Sequence, residues 1–427
     1  MDVFDAVRAA QEELDVPGVA VGVLDGDEER HEGFGVTSIE NPLEVTLGTR
    51  FQTGSITKTF TGTVILQLVD QGLLELDRPV LEYVPELTLA DAAATGGVTL
   101  RHLLSHTGGW VGDYFEDTGW GDDAAARYVD GMAGLPQLTP LGELWSYNNS
   151  GFVLAGRVIE RVTGRRYEDV VKELVFDPLQ LTETTFWPWD VIAERFAVGH
   201  TGDGDDLKVA RPWAVGRSAH AAGGIVSTTR DLLRYARLHL DPPAALAPMQ
   251  ERQAEAAAEG EWVGLTWYGE DRHGTIRHGG GTMGQLSMLV LVPSRRFGLV
   301  VLTNHSPNGN RVVLSALDAA GLGAPELEPV DLGPLDEFAG TYEMPLSRVA
   351  LTPRNGRLHV AVEMLGGFPA KDSPPQPSPP PGEAFFYAPD RWTIEEGALK
   401  GSRGQFLRGA DGSIVWLRSG GRLYRRV

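Results

Sequence analysis

Apolar residues recur along this chain with two different periods, and the change from one to the other marks out its organisation. Residues 3–14 carry apolar positions three and four apart, as an amphipathic helix does. Gly18-Val19-Ala20-Val21-Gly22-Val23-Leu24 follows as a strand closed by the turn pair Asp25-Gly26. A second strand is expected over 33–38. Ile56, Phe60, Val64, Leu68 and Val69 then return at helical spacing, until Gly72 and Pro79 end the pattern. From about 77 to 227 the text is helical segments and long loops, with a helix over 151–160 and another just beyond, over 228–240. Short β-rich runs at 265–268, 275–278, 285–292 and 298–303, separated by turn residues, read as an antiparallel meander, and 311–322 as a closing helix. Strands at both ends with helices between them predict an α+β unit whose sheet is assembled from distant parts of the chain.

Beyond Pro334 the period settles at two. Arg354-Asn355-Gly356-Arg357 and Ala410-Asp411-Gly412-Ser413 are hairpin turns, and some eight short strands in about 95 residues fit a small up-and-down barrel, its interior filled by side chains. The six prolines between Ser373 and Pro381 cannot join a ladder and read as a stiff surface loop.

At 427 residues and 42% hydrophobic content the chain exceeds one ordinary domain and can bury a sizeable core. Its net charge of −21 repels phosphate backbones and anionic lipid, so nucleic-acid and membrane-surface roles are disfavoured. Residues 335–427 hold 12 Lys and Arg against 10 Asp and Glu, so the acidity lies before them, which supports a boundary near residue 330. No apolar run approaches about 18 residues, and Met1-Asp2-Val3-Phe4-Asp5 is acidic where a secretory leader would be basic and then apolar. A cytoplasmic chain is expected. The absence of cysteine excludes disulfides, thiol nucleophiles and cysteine-ligated metal.

Three short stretches carry chemistry. In Thr53-Gly54-Ser55-Ile56-Thr57-Lys58 a hydroxyl and an amine lie one turn apart on the same face of a helix start. Ser55 is at a position that favours a helix N-cap; as a nucleophile there, it would have its own N–H and the positive end of the helix dipole directed at any oxyanion formed. A free lysine, pKa ~10.4, is a poor base at neutral pH, and lowering it by ~3 units needs about 4 kcal/mol of differential destabilisation of the cation. Tyr147 could share the task, because a phenolate beside a lysinium is a usable base and its phenol can return the proton. Tyr147-Asn148-Asn149 otherwise reads as a polar turn capping the helix after Asn149.

His278-Gly279-Gly280-Gly281-Thr282-Met283-Gly284 contains G-x-G-x-x-G, but the apolar, proline-ended strand after it rejects a dinucleotide site, which needs a helix there. Glycines at a strand edge instead let backbone donors approach a substrate. His102 and His106, four apart, lack the glutamate and third ligand of a zinc site and are expected to be satisfied by hydrogen bonds. Neither metal nor cofactor is expected. Glu116, Asp117, Asp122 and Asp123 form an acidic run in a loop that is either simply solvated or an attractor for a substrate's amino terminus.

Ser55-Ile56-Thr57-Lys58, Tyr147-Asn148-Asn149 and His278-Gly279-Gly280, with Phe51-Gln52-Thr53-Gly54 and Leu103-Leu104-Ser105-His106-Thr107-Gly108-Gly109 around them, resemble the penicillin-recognising SxxK serine hydrolases. The similarity is greatest to the branch of class C β-lactamases, D-aminopeptidases, D-alanyl carboxypeptidases and related esterases. It implies a β-lactamase-like domain over 1–330, an antiparallel sheet flanked by helices with a helical insert at about 75–227, followed by a lipocalin-like β-barrel over 331–427. It also implies Ser55 as nucleophile, Lys58 and Tyr147 as the base pair, and Asn149, His278, Gly279 and Gly280 as substrate binders. The N–H groups of Ser55 and Gly281 would form the oxyanion hole. Where β-lactam-processing members have Lys-Thr-Gly this chain has His278-Gly279-Gly280, losing a cation and a hydroxyl that grip a carboxylate. The resemblance therefore points to an acyl-enzyme hydrolase of short peptides, some with D-residues. A carboxylesterase or weak β-lactamase is the alternative, and an inactive peptide-binding scaffold a third reading. The barrel is expected to narrow the cleft or to join copies into a homo-oligomer.

Overall fold

The computed structural model describes residues 1–375, 377–397 and 399–427. Part of the proline-rich loop, Gln376, lies outside the described residues.

One antiparallel sheet organises residues 1–322. Its strands are β1 (Gly18–Asp25), β2 (Glu28–Gly35), β3 (Ala254–Glu255), β4 (Glu261–Val263), β5 (Tyr268–Glu270), β6 (Thr275–Gly281), β7 (Leu286–Val292) and β8 (Phe297–Thr303), in the order β2-β1-β8-β7-β6-β5-β4-β3. The β1–β8 ladder, with Val21 opposite Val301, joins the start of the chain to a segment far beyond the helical insert. Both faces of β1 are covered, which is why it reads as a continuous apolar run. Val19, Val21 and Val23 enter a core under helices α1 (Val3–Glu13) and Gly309–Ala319, while Ala20 and Leu24 enter a larger core beneath Thr229–Leu240.

Helix α2 (Thr57–Asp70) crosses that larger core, and Phe60, Val64 and Ile65 on it are fully buried. Helix α3 (Asn149–Thr163) packs beside it. The long segment between β2 and β3 supplies these helices and several shorter ones.

Two strand expectations need correction. β2 starts at Glu28 and not at Gly33, because its charged residues occupy an edge strand and give no apolar alternation to read. The run 265–268 is not a strand: Leu265, Thr266 and Trp267 form a fully buried bend with Thr266 at φ +80°, and the pairing residues lie on either side in β4 and β5.

The C-terminal stretch is a closed barrel of strands β9 (Gly340–Met344), β10 (Ser347–Arg354), β11 (Arg357–Met364), β12 (Gly382–Ala388), β13 (Arg391–Ile394), β14 (Arg403–Arg408), β15 (Ile414–Ser419) and β16 (Arg422–Arg426). Asn355 and Gly356, at φ +50° and +74°, make the two-residue turn that the Asn-Gly pair predicts. Closure comes from β16 pairing back to β9, with Arg426 opposite Tyr342. Tyr342, Leu358, Val360, Trp392, Phe406 and Leu417, each at most 2% exposed, fill the interior.

Candidate active site

The three motifs converge at the junction of α2, α3 and the edge of β6. Ser55 does not cap α2 with its side chain; it sits inside a tight turn, Gly54–Ile56, just ahead of the helix. Gly54 has φ +51°, and a Cβ there would meet Gly281 N at 2.7 Å, so only glycine lets the turn press against β6. Gly280 is as tightly held from the other side, its missing Cβ 1.9 Å from Thr53 O and 2.8 Å from Ser55 N. The backbone N–H groups of Ser55 and Gly281 therefore belong to two segments in contact.

Lys58, one turn into α2, is fully buried and its Nζ lies 3.0 Å from Ser55 Oγ. The same nitrogen donates to Asn149 Oδ1 at 2.8 Å and to Ala222 O at 2.6 Å. Burial holds the Lys58 amine well below its ordinary range, and the positive charge of Arg422 adds to the effect. Tyr147 closes the other side. Its ring lies 4.9 Å from Lys58 Nζ, and the Ser55 side chain lowers the proton affinity of its phenol. Burial pushes the Tyr147 phenol up to about 12, despite opposing contributions from Ser55 and Arg422.

Asn148, not Asn149, caps α3, its Oδ1 accepting from Gly151 N at 2.7 Å. Asn149 is thereby the first helical residue, free to face Lys58. Its amide is oriented by Asp113, which accepts from Nδ2 at 2.8 Å.

His278 is 1% exposed, and burial followed by repulsion from Lys58 lowers its imidazole to about 3. Nδ1 lies 2.7 Å from Gly279 O, an acceptor, so Nδ1 carries the hydrogen and Nε2 keeps a lone pair. The third motif thus contributes a neutral acceptor where a lysine would contribute a cation. His106, φ +58°, packs 4.6 Å from the Tyr147 ring and accepts from Asn148 N at 3.0 Å. His102 caps the short helix Leu100–Leu104 together with Thr99. Among the described residues no group of three metal-ligating side chains occurs.

These residues open onto a cleft of about 780 Å³ with aromatic walls that include Trp145, Trp213 and Tyr268. The acidic run does not act as one unit there. Glu116 pairs with Lys371, Asp122 with Arg217 and Asp123 with Arg127, while Asp117 lines the cleft and accepts from Gly119 N.

The barrel was expected to narrow the cleft, but sequence reasoning named none of the residues that reach it. Gly420, Gly421 and Arg422, at the β15–β16 turn, line the cleft. Gly421 O accepts from Tyr147 N at 2.8 Å, and Arg422 stacks on the Tyr147 ring at 4.7 Å while pairing with Asp113 at 2.7 Å. A second barrel segment brings Phe368 edge-on to Phe115 at 5.0 Å and completes one wall. The only sequence signal for the first contact was Gly420-Gly421 ahead of an arginine.

Comparison with known proteins identifies the family and the fold. The beta-lactamase family profile matches residues 3–322. Penicillin-binding protein 4 of Amycolatopsis lactamdurans is 35% identical over 377 residues, covering 80% of this chain and 96% of that protein. Among solved structures, SurE with D-Leu superposes with a TM-score of 0.74 at 25% identity, over 100% of this chain and 98% of that one. The octameric penicillin-binding protein homologue from Pyrococcus abyssi superposes at 0.64 and 22% identity over the full length of both, a likeness of fold. No helix among the described residues is long and apolar enough to cross a membrane. The matched profile, the relative and the shared fold together show that the chain belongs to the beta-lactamase family of serine hydrolases.

Proposed function

We propose that this chain is an acyl-enzyme hydrolase in which Ser55 attacks the carbonyl of a short peptide, with D-residues among its substrates. The observation that carries the reading is the 3.0 Å separation of Lys58 Nζ and Ser55 Oγ in a site whose burial disfavours the charged amine. A neutral amine has two N–H bonds and one lone pair. Asn149 Oδ1 and Ala222 O take the two N–H bonds, which leaves the lone pair for the Ser55 proton. Ser55 Oγ bonds to the carbonyl carbon as its proton passes to Lys58, and the oxyanion is held by the N–H groups of Ser55 and Gly281. The phenol of Tyr147 donates a proton to the departing amine and is recharged from Lys58; water then repeats the sequence to free the acyl group. In this assignment Lys58 is the base and Tyr147, held protonated, the donor.

The aromatic cleft suits apolar side chains, and the relative solved with D-Leu supports D-residues as substrates. Esters are the second reading, favoured by the neutral His278, which supplies no cation to grip a carboxylate. For the same reason β-lactam hydrolysis is expected to be weak. Fluorophosphonate labelling that disappears in Ser55→Ala tests the nucleophile; no labelling of the wild type would leave only a binding scaffold. Short D- and L-amino-acid amides beside p-nitrophenyl esters test the substrate class, and ester turnover without amide turnover would remove the peptidase reading. A cytoplasmic location and self-association through the barrel belong to the same proposal. Light scattering that gave the mass of a single chain would remove the second.

A further inference from the structure

Asp113 and Arg422 form a linked pair beside the catalytic groups that the acyl-transfer scheme leaves without a task. Arg422 donates from Nε to Asp113 Oδ2 at 2.7 Å and from Nη2 to Oδ1 at 3.3 Å; Asp113 Oδ1 accepts from Asn149, and Asn149 accepts from Lys58. The carboxylate is 3% exposed and the guanidinium side chain 29%.

Both ends are fixed by backbone. Gly112 O accepts from the N–H groups of Asn149 and Ser150 at 3.2 and 3.0 Å, which locks Asp113 against the start of α3. Leu423 N donates to Ser146 Oγ at 3.2 Å, and Gly421 O accepts from Tyr147 N, which locks Arg422 over the tyrosine ring. The charge pair is thus anchored on two elements, one of them in the barrel.

We infer that Asp113 and Arg422 are positioning residues that keep Lys58 a working base. Asp113 turns the Asn149 amide so that its oxygen faces the amine, and Arg422 sets a fixed positive charge nearby. The inference rests on the acyl-transfer reading of Ser55 and adds to it that the barrel participates in catalysis. The other groups facing Lys58 are Tyr147, held protonated, and His106 and His278, both neutral. Asp113 and Arg422 are therefore the charges that act on it, and they act in opposite directions, Arg422 lowering and Asp113 raising the proton affinity of the amine.

The sign of each perturbation follows. The base must be unprotonated, so anything that raises the proton affinity of Lys58 moves the acid limb of the rate profile to higher pH. Lys58 Nζ and Arg422 Cζ lie 4.9 and 4.7 Å from the Tyr147 centroid, hence within about 10 Å of each other, where one unit charge shifts a pKa by about one unit at an effective dielectric near 20. Arg422→Gln should move the acid limb up by about one pH unit, Asp113→Asn should move it down, and Arg422→Lys should restore it.

The experiment measures the rate of Ser55 inactivation by an uncharged fluorophosphonate, and kcat/KM for p-nitrophenyl acetate, from pH 5 to 10. Neither probe has a carboxylate that Arg422 could bind. Opposed shifts of the limb for the two single variants, with the double variant between them, support the inference; on the falling acid limb, below both midpoints, Arg422→Gln should react about tenfold more slowly at any given pH. Equal losses at every pH with no shift of the limb would reduce the pair to a structural contact and overturn it. If Arg422→Gln fails to fold, Asp113→Asn and Arg422→Lys decide on the same criterion. Failure of the wild type to label at all would overturn the acyl-transfer reading itself, a result distinct from labelling with an unmoved limb.

Discussion

Replacing Gly280 by alanine would put a methyl group where β6 crosses the nucleophile turn. The new carbon would stand 1.9 Å from Thr53 O, 2.6 Å from Ser287 Oγ and 2.8 Å from Ser55 N. Two of those neighbours are backbone, and the third already donates to Thr53 O at 2.7 Å, so no side chain can swing away without loss. Strand and turn must part by about 1.5 Å to reach ordinary contact. That movement separates Ser55 N from Gly281 N. Loss of one oxyanion donor costs on the order of 10²–10³ in kcat, about 3–4 kcal/mol, and the overpacking itself about 1–3 kcal/mol of stability. Gly279→Ala is the control, because its Cβ first meets Met288 Cε at 3.2 Å, the flexible end of a side chain. With a p-nitrophenyl ester, Gly280→Ala should lose about two orders of magnitude or more in kcat/KM and melt a few degrees lower, while Gly279→Ala should stay within about threefold. A Gly280→Ala enzyme as active and stable as Gly279→Ala would refute the locked geometry and the oxyanion assignment together.

Three further outcomes are expected. His239 is fully buried against Tyr235 and Thr63, and burial lowers its imidazole to about 3. Its unfolded form takes a proton below about 6.5, so its contribution is present above that pH and is lost as pH falls toward 3, at ~1.4 kcal/mol per unit; urea unfolding at pH 7 and 5 should show a smaller acid loss for His239→Gln, and equal losses would contradict this. Phe406→Ala empties the barrel centre beside Phe338 and Tyr342 and should cost about 3–5 kcal/mol, with a fall in ester turnover because Arg422 shares that scaffold; lost stability at full turnover would uncouple barrel and cleft. Phe368→Ala removes the ring against Phe115 and should raise the kcat/KM ratio of long-chain over short-chain esters by about tenfold; an unchanged ratio would take that wall out of the acyl pocket.

What the sequence disclosed, and what it withheld, follows from how far each interaction reaches along the chain. Ser55 and Lys58 are one turn apart, so their contact is local and legible. The helix start at Asn148 and Asn149 is local too, although the cap fell one residue earlier than expected because Asn148 has the extended backbone that a cap requires. Period-two alternation and the Asn355-Gly356 turn exposed the barrel. Thr266 defeated the same reasoning, since a buried non-glycine at positive φ has no periodic signature. Arg422 and Asp113 were out of reach for another reason: they meet across 309 positions, and neither sits in a motif. The depression of Lys58 was anticipated as a need, but its cause is burial among α3 and the short helix His220–Gly223 that holds Ala222, which only three-dimensional packing reveals.

The bond from Tyr147 N to Gly421 O has a consequence for biosynthesis. Ser55 and Lys58 leave the ribosome hundreds of residues before Gly421 does, yet the tyrosine segment they work with is completed only by that late arrival. A nascent chain would therefore carry its reactive alcohol in an unfinished pocket until the hairpin that bears Gly421 has docked. Hydrolytic power would arrive only with that docking, so a chain still short of Gly421 would spare neighbouring carbonyls.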